Sequence, residues 1–193
     1  MGTVILRRMK PRRRRAGLTD YRKRLKLVKS GLERLVVRRT NRRIIAMLVK
    51  SKAGGDETLV SATSDVLSKF GWKASFKSIP AAYLTGFLLG KKALEKGVEK
   101  AIVDFGVHRS VKGSRLYAVV KGVLDAGVEV PVDEEMLVPE ERLYGEHISN
   151  YFRQVSQNPA SPQFRKTDPA FVENIRDMVI SIKEKIAGGA GVE

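Results

Sequence analysis

Three consecutive runs of β-branched residues constrain the fold of this chain most strongly. They are RLVVRRT at 34–40, RRIIAMLVK at 42–50 and ETLVSATS at 57–64. A turn around Asn41 separates the first two, and the turn-forming sequence AGGD precedes the third. Because such short connections join neighbouring antiparallel strands, the pattern predicts a three-stranded antiparallel meander.

Helical and strand patterns then alternate. IPAAYLTGFLLGKKALEKG at 79–97 has Pro80 in its first turn and a Gly stop, which predicts a long helix. AIVDFGV at 101–107 predicts a short buried strand, and SRLYAVVKGVLDAG at 114–127 predicts a second helix. We therefore expect an α/β fold whose mixed sheet, an antiparallel meander plus a parallel strand, is packed with helices.

The two ends of the chain carry further helical patterns. TDYRKRLKLVKSG at 19–31 predicts a short basic helix capped by Thr19 or Asp20. An acidic stretch ends in a short helix opened by Pro139, and the linker NPASPQ follows. The last element is predicted to be one amphipathic helix with Asp168 as its N-cap and Pro169 in its first turn, and its apolar face consists of Phe171, Ile175, Val179, Ile182 and Ile186.

Positive charge is concentrated at the N-terminus. The chain has 37 Lys and Arg against 21 Asp and Glu, and seventeen of those cations lie in residues 1–43, where Asp20 and Glu33 are the only acids. Most are Arg, which binds phosphate in a bidentate manner and stacks on unpaired bases. The pattern indicates RNA or DNA binding rather than adsorption to an anionic membrane, since the basic helix lacks a broad aromatic face.

Several other site classes are disfavoured. The chain has no Cys and no apolar run of about 18 residues, so we expect a cytoplasmic protein without thiolate chemistry. GFLLGKK at 86–92 departs from the spacing of a phosphate-binding loop, and we expect Gly86 and Gly90 to allow close packing of the helix on the sheet. Asp104 lacks the neighbouring carboxylates of a metal-dependent nuclease. We expect a satisfied strand-end residue, no metal, no cofactor and no enzyme.

The loop VHRSVKGSR at 107–115 predicts a second RNA contact. It follows the carboxyl end of a strand and leads into a helix, where unpaired N–H groups attract anions. Its cationic candidates are His108, Arg109, Lys112 and Arg115. Tyr21, surrounded by basic residues, is a candidate for stacking on a base.

Five segments together resemble the archaeal and eukaryotic branch of large-subunit ribosomal protein eighteen, over about residues 12–150. They are YRKRLKLVKSGLERLVVRRTNRRIIAMLV, GDETLVSATS, IPAAYLTGFLLGKKALEKG, AIVDFGVHRSVKGSRLYAVVKGVLDAGVEVP and ERLYGEHI. Ser110-Val111 departs from the Pro-Thr of that family's pattern.

The resemblance implies a ribonuclease-H-like core without nuclease activity. It also implies a structural constituent of the large ribosomal subunit that binds 5S rRNA and helps attach it to large-subunit rRNA in the central protuberance, beside neighbours such as large-subunit protein five. The RNA-binding residues that it implies are Arg12, Arg13, Arg14, Arg15, Tyr21, Arg22, Arg24, Lys26, Arg38, Arg39, Asn41, Arg42, Arg43, His108, Arg109, Lys112 and Arg115.

We expect three parts in the chain: a basic disordered arm at 1–18, an α/β RNA-binding core with its leading basic helix at 19–130, and a C-terminal extension at 131–193. The residues themselves leave two alternatives open. One is a general nucleic-acid-binding protein, and the other is a metal-dependent nuclease.

Overall fold

The computed structural model of this chain describes residues 9–156 and 169–189. The strands are β1 (Glu33–Arg39), β2 (Ile44–Lys52), β3 (Gly55–Thr63) and β4 (Ala101–Asp104). The helices are α1 (Arg12–Arg15), α2 (Tyr21–Lys29), α3 (Ile79–Glu95), α4 (Arg115–Ala126), α5 (Glu140–Leu143), α6 (Glu146–Ser156), α7 (Pro169–Glu173) and α8 (Ile175–Ala187), with 3₁₀ turns at Ser64–Phe70 and Glu134–Met136. The expected linker NPASPQ, the Asp168 cap and residues 1–8 of the arm lie outside the described residues.

The strands form one mixed sheet in the order β3-β2-β1-β4. β1 pairs antiparallel with β2, with Leu35 opposite Leu48, and β2 pairs antiparallel with β3. β4 pairs parallel with β1, with Leu35 opposite Val103. The structure therefore confirms the predicted meander and the added parallel strand.

One face of the sheet, which we call the core face, is covered by α3 and α4. Leu35, Val37 and Leu48 point into this core and are almost fully buried. Every residue of α3 from Ile79 to Gly90 is buried, because the helix packs on β2 and β3, on α4 and on α8. A helix that is apolar on all sides needs such an enclosed position.

The glycines of α3 contact a helix rather than the sheet. A Cβ on Gly86 would lie 2.1 Å from the carbonyl oxygen of Val119, and one on Gly90 would lie 2.5 Å from the Cβ of Ala126. From the α4 side, a Cβ on Gly122 would lie 2.2 Å from the carbonyl oxygen of Tyr83. The prediction of close packing was right, but the partner was wrong: these glycines let the backbones of α3 and α4 meet.

The C-terminal helices pack on the same core. The predicted single helix is two helices, α7 and α8, which are separated at Asn174. Its predicted apolar face is buried as expected, and α8 packs on α3 while the Phe171 ring meets Trp72 edge-on at 5.4 Å. The short helix after Pro139 is confirmed as α5, whereas α6 had no counterpart in the sequence analysis. None of the described helices is long and apolar enough to span a bilayer.

Candidate nucleic-acid interface

The parallel pairing of β1 with β4 brings the predicted basic segments together. The carboxyl ends of these two strands lie at one edge of the sheet. At that edge β1 ends in Arg38 and Arg39, β4 leads into the loop that holds His108, and α4 begins at Arg115. Segments about 70 residues apart in the chain therefore share one surface.

Three adjoining concavities line this edge. The first, of about 410 Å³, lies between the arm and α2 and contains Arg14, Tyr21 and Arg22, with Val107 at its border. Val107 also lines the second, of about 520 Å³. The third is about 330 Å³ and includes Asn41. We call this run of concavities the basic groove; its charged and polar lining includes Arg14, Tyr21, Arg22, Arg39, Asn41, Lys77, His108, Arg109, Arg115 and Arg142.

Three side chains are shared by the second and third concavities: Arg39, His108 and Arg115. Arg115 is held in place because its Nη1 donates to the carbonyl oxygen of Lys77 at 3.1 Å. The pKa of His108 is lowered by its partial burial and then by the neighbouring charges of Arg39 and Arg38. The imidazole is therefore largely neutral at neutral pH, beside guanidinium groups that remain charged.

Behind the groove, on the other face of the sheet, lies a chain of ion pairs. Arg34, which is only 3% exposed, donates from Nη1 to Asp104 Oδ2 at 2.9 Å, and its Nη2 lies 2.6 Å from Asp56 Oδ2. Arg38 donates from Nη2 to Asp104 Oδ1 at 3.2 Å and from Nη1 to the Asp104 carbonyl oxygen at 2.6 Å. Arg24 of α2 lies 3.0 Å from Asp56. We call these five residues the charge ladder.

The charge ladder explains Asp104. Its carboxylate accepts hydrogen bonds from Arg34, from Arg38 and, at 2.8 Å, from the backbone N–H of Gly106. The prediction of a satisfied strand-end residue is confirmed. Within residues 9–156 and 169–189, no group of three or more His, Asp or Glu is arranged to hold a metal ion.

The charge ladder also attaches α2 to the body. Asp20 caps this helix by accepting from the backbone N–H groups of Arg22 and Lys23, which decides between the two predicted caps. The helix itself buries no residue. Partial burial raises the pKa of Asp56, but its interactions with Arg34, Ser51 and Arg24 together outweigh this effect, so the pKa is lowered. Asp56 thus stays ionised and links Arg24 of the helix to the buried Arg34.

The predicted RNA-binding residues divide into two groups. Arg24 and Arg38 belong to the charge ladder, Arg43 pairs with Asp65 at 2.7 Å, and Lys112 lies 3.5 Å from Glu135. Arg43 and Lys112 are nevertheless 52% and 62% exposed. The other predicted residues, which are exposed or line the groove, are Arg12, Arg13, Arg14, Arg15, Tyr21, Arg22, Lys26, Arg39, Asn41, Arg42, His108, Arg109 and Arg115. Among them, Arg13 donates from Nε to Thr19 Oγ1 at 2.8 Å.

Sequence reasoning missed two cations and two apolar residues of the groove. Arg142 stands in the acidic stretch PEERL, and the negative net charge of that stretch gave no indication of a phosphate-binding residue. Lys77 precedes the N-cap of α3, and no basic run surrounds it. Val107 and Val111 are 53% and 55% exposed in a loop that the sequence analysis treated as purely basic.

Over most of its length, the chain is similar in sequence to known ribosomal proteins. Residues 7–99 match the family described as ribosomal large subunit proteins 60S L5 and 50S L18. Large ribosomal subunit protein uL18 of Korarchaeum cryptofilum is 44% identical, over 94% of this chain and 96% of the relative. The proteins of the same name from Methanosphaera stadtmanae and Caldivirga maquilingensis are 45% and 46% identical, over 91% and 93% of this chain and 92% and 89% of the relatives. The chain therefore belongs to the family of large ribosomal subunit protein uL18.

Proposed function

We propose that this protein binds 5S rRNA through the basic groove and the N-terminal arm, and helps attach it to large-subunit rRNA in the central protuberance. As a member of a family of large-subunit ribosomal proteins, it is a structural constituent of that subunit and not an enzyme. The cytoplasmic ribosome is its place of action, as the sequence predicted.

One observation carries this proposal. The arm, α2, the β1–β2 turn and the loop before α4 were each predicted to contact RNA, and they lie side by side along the basic groove. The body behind them is nearly neutral, because the first 43 residues carry almost the entire excess charge. A folded polyanion would therefore be attracted to one side of the molecule.

The proposed mechanism is positioning. Exposed guanidinium groups such as those of Arg39 and Arg109 contact phosphates, and Tyr21 stacks on a base or sugar. Arg38 supports them from behind, since its contacts with Asp104 join the ends of β1 and β4. The described part of the arm buries nothing in the protein, and we propose that it orders along the RNA.

The finer assignments are also proposals. We propose a ribonuclease-H-like core, which is supported by a meander followed by a helix and a strand parallel to β1. We propose the division into an arm at 1–18, an RNA-binding core at 19–130 and an extension at 131–193. Large-subunit rRNA and large-subunit protein five are the proposed neighbours of the surfaces that 5S rRNA leaves free.

Salt dependence of 5S rRNA binding tests the central claim. Because phosphate contacts release counterions, log affinity should fall against log salt with a slope on the order of five or more. A gel-shift series that shows a flat response would refute the electrostatic mechanism. Competition with bulk duplex DNA distinguishes a general nucleic-acid binder, and incubation with Mg²⁺ reveals any nuclease.

Deletion of residues 1–30 tests the role of the arm and α2. Since α2 buries no residue, the deletion should lower RNA affinity while the circular dichroism melt of the remaining body stays nearly unchanged. Loss of folding would show that this segment belongs to the core.

A further inference from the structure

The lining of the second concavity of the basic groove combines two chemically different sets of residues. The first set, which we call the cationic wall, includes Arg39, Arg115 and Arg142. The second set, which we call the apolar wall, has Val107 and Val111 as its exposed members. Its volume of about 520 Å³ is within the range of pockets that enclose a small organic molecule. Phosphates alone need only the cationic wall, so the apolar wall indicates a ligand with an apolar surface as well.

The apolar wall is held in place. The hydroxyls of Ser110 and Tyr117 are hydrogen-bonded, and the Tyr117 ring meets Phe105 edge-on at 5.1 Å. On the other side of Val111, the backbone N–H of Gly113 donates to the carbonyl oxygen of Met136 at 3.1 Å. The loop that carries Val107 and Val111 is therefore anchored at both ends. These contacts fix the loop in the position that exposes the two valine side chains.

One residue that lines this concavity, Ser114, carries a hydroxyl that makes no hydrogen bond within the described part of the chain. The Oγ atom of this hydroxyl is buried. Ser114 lines the concavity at the start of α4. A buried hydroxyl without a partner is costly, and rotation of the Ser114 side chain toward a polar atom of a ligand would satisfy it.

We propose that the second concavity holds one unstacked nucleotide of 5S rRNA. Its base lies against Val107 and Val111, and its phosphate is bound by Arg39 and Arg115. The third concavity shares both arginines and His108, which places the next phosphate of the strand there. This inference rests on the proposed function, and it adds recognition of a single extruded base to general phosphate binding.

The test removes the apolar wall without changing charge. The double variant Val107→Ser with Val111→Ser should fold normally, because both side chains are about half exposed. We expect about tenfold weaker binding to 5S rRNA, in line with the loss of the apolar contact area that two Val side chains offer to a base, and an unchanged salt slope. Ile180→Ser is the matched control, since Ile180 is 38% exposed on α8 and does not line the groove.

Arg109→Gln separates the two proposals. It should weaken binding and reduce the salt slope by about one. If Arg109→Gln weakens binding but the double Ser variant binds like the unaltered protein, the nucleotide site is refuted and the proposed function stands. If the unaltered protein does not bind 5S rRNA at all, the proposed function fails first.

Crosslinking identifies the occupant directly. The photoreactive residue p-benzoylphenylalanine at position 111, in the full chain assembled into ribosomes, should crosslink to one unpaired nucleotide. Crosslinks spread over paired RNA, or crosslinks to a protein, would overturn the inference.

Discussion

The two faces of the sheet are built on different physics. The core face is sealed by α3 and α4 with aliphatic side chains and glycine contacts between helix backbones. The opposite face carries the charge ladder, with Arg34 buried among carboxylates, and a cavity of about 420 Å³ remains between this face and α2. One face of the sheet is therefore fully covered by apolar side chains, whereas the other face is covered by ion pairs that leave a cavity.

This difference separates stability from positioning. Burial of apolar area provides most of the free energy of folding. Buried ion pairs add little net stability, but they are strongly destabilising when one partner is removed, and they fix geometry. The core face should thus determine whether the chain folds, and the charge ladder should determine where β1, β4 and α2 present their groove residues.

Gly122→Ala should have the largest effect, because the new methyl group would lie 2.2 Å from the backbone oxygen of Tyr83. No flexible side chain can move aside, so we expect a loss of more than about 3 kcal/mol in the free energy of unfolding, measured by chemical denaturation. Gly54→Ala is the control, since a Cβ there meets nothing within 4 Å. Equal stability of both variants would contradict close contact between α3 and α4.

Asp104→Asn should come next. It leaves the buried Arg34 with a single carboxylate partner and weakens the hold on Arg38, so we expect a loss of roughly 2–4 kcal/mol in unfolding free energy. Asp65→Asn breaks an exposed pair with Arg43 and should cost less than about 1 kcal/mol. If the two variants melt alike, the charge ladder does not support the fold.

Much of this comparison could be predicted from sequence. The β-branched runs and their turns determine the meander locally, and the capping and apolar spacing around Pro80 and Gly127 determine the helices. The basic segments were identified one by one because Arg-rich runs are visible without a structure. One further prediction, that a strand parallel to the meander follows, brings these basic segments to the same edge of the sheet, because β4 pairs parallel with β1.

The rest depends on contacts between distant residues. Arg34 and Asp104 are 70 residues apart, and nothing in either local pattern distinguishes a structural arginine from an RNA-binding one. The same holds for Gly86, whose partner Val119 lies on another helix. Arg142 was missed because its neighbours in sequence are acidic, although its neighbours in space are basic.

Asp56→Asn should have a smaller effect on stability, because its side chain is 30% exposed. We expect a loss of about 1 kcal/mol and a modest decrease in RNA affinity as α2 loses its link to the body. The pKa of Asp56 is lowered in the folded protein, so its contribution is present above the usual value of 3.8 and is lost as pH falls through the lower folded value. Acid titration of stability should therefore be flatter in the variant, and identical curves would contradict this assignment.

The smallest expected effect is the pH dependence of RNA binding through His108. Its sign is opposite to that of Asp56, because acid should tighten RNA binding through His108, whereas acid removes the stability that Asp56 contributes. Burial and the charges of Arg39 and Arg38 lower the pKa of His108 in the free protein. A bound phosphate favours the imidazolium, so RNA binding takes up a proton and should tighten about two- to threefold as pH falls from about 7 to 6.

His108→Gln should remove this pH dependence while retaining most of the affinity at pH 7. His147→Gln is the control, because the pKa of His147 is also lowered but the residue does not line the groove. The measurement is a gel-shift affinity at several pH values and constant salt. If His108→Gln keeps the full pH dependence, no RNA phosphate lies beside His108 at the Arg39 edge of the sheet.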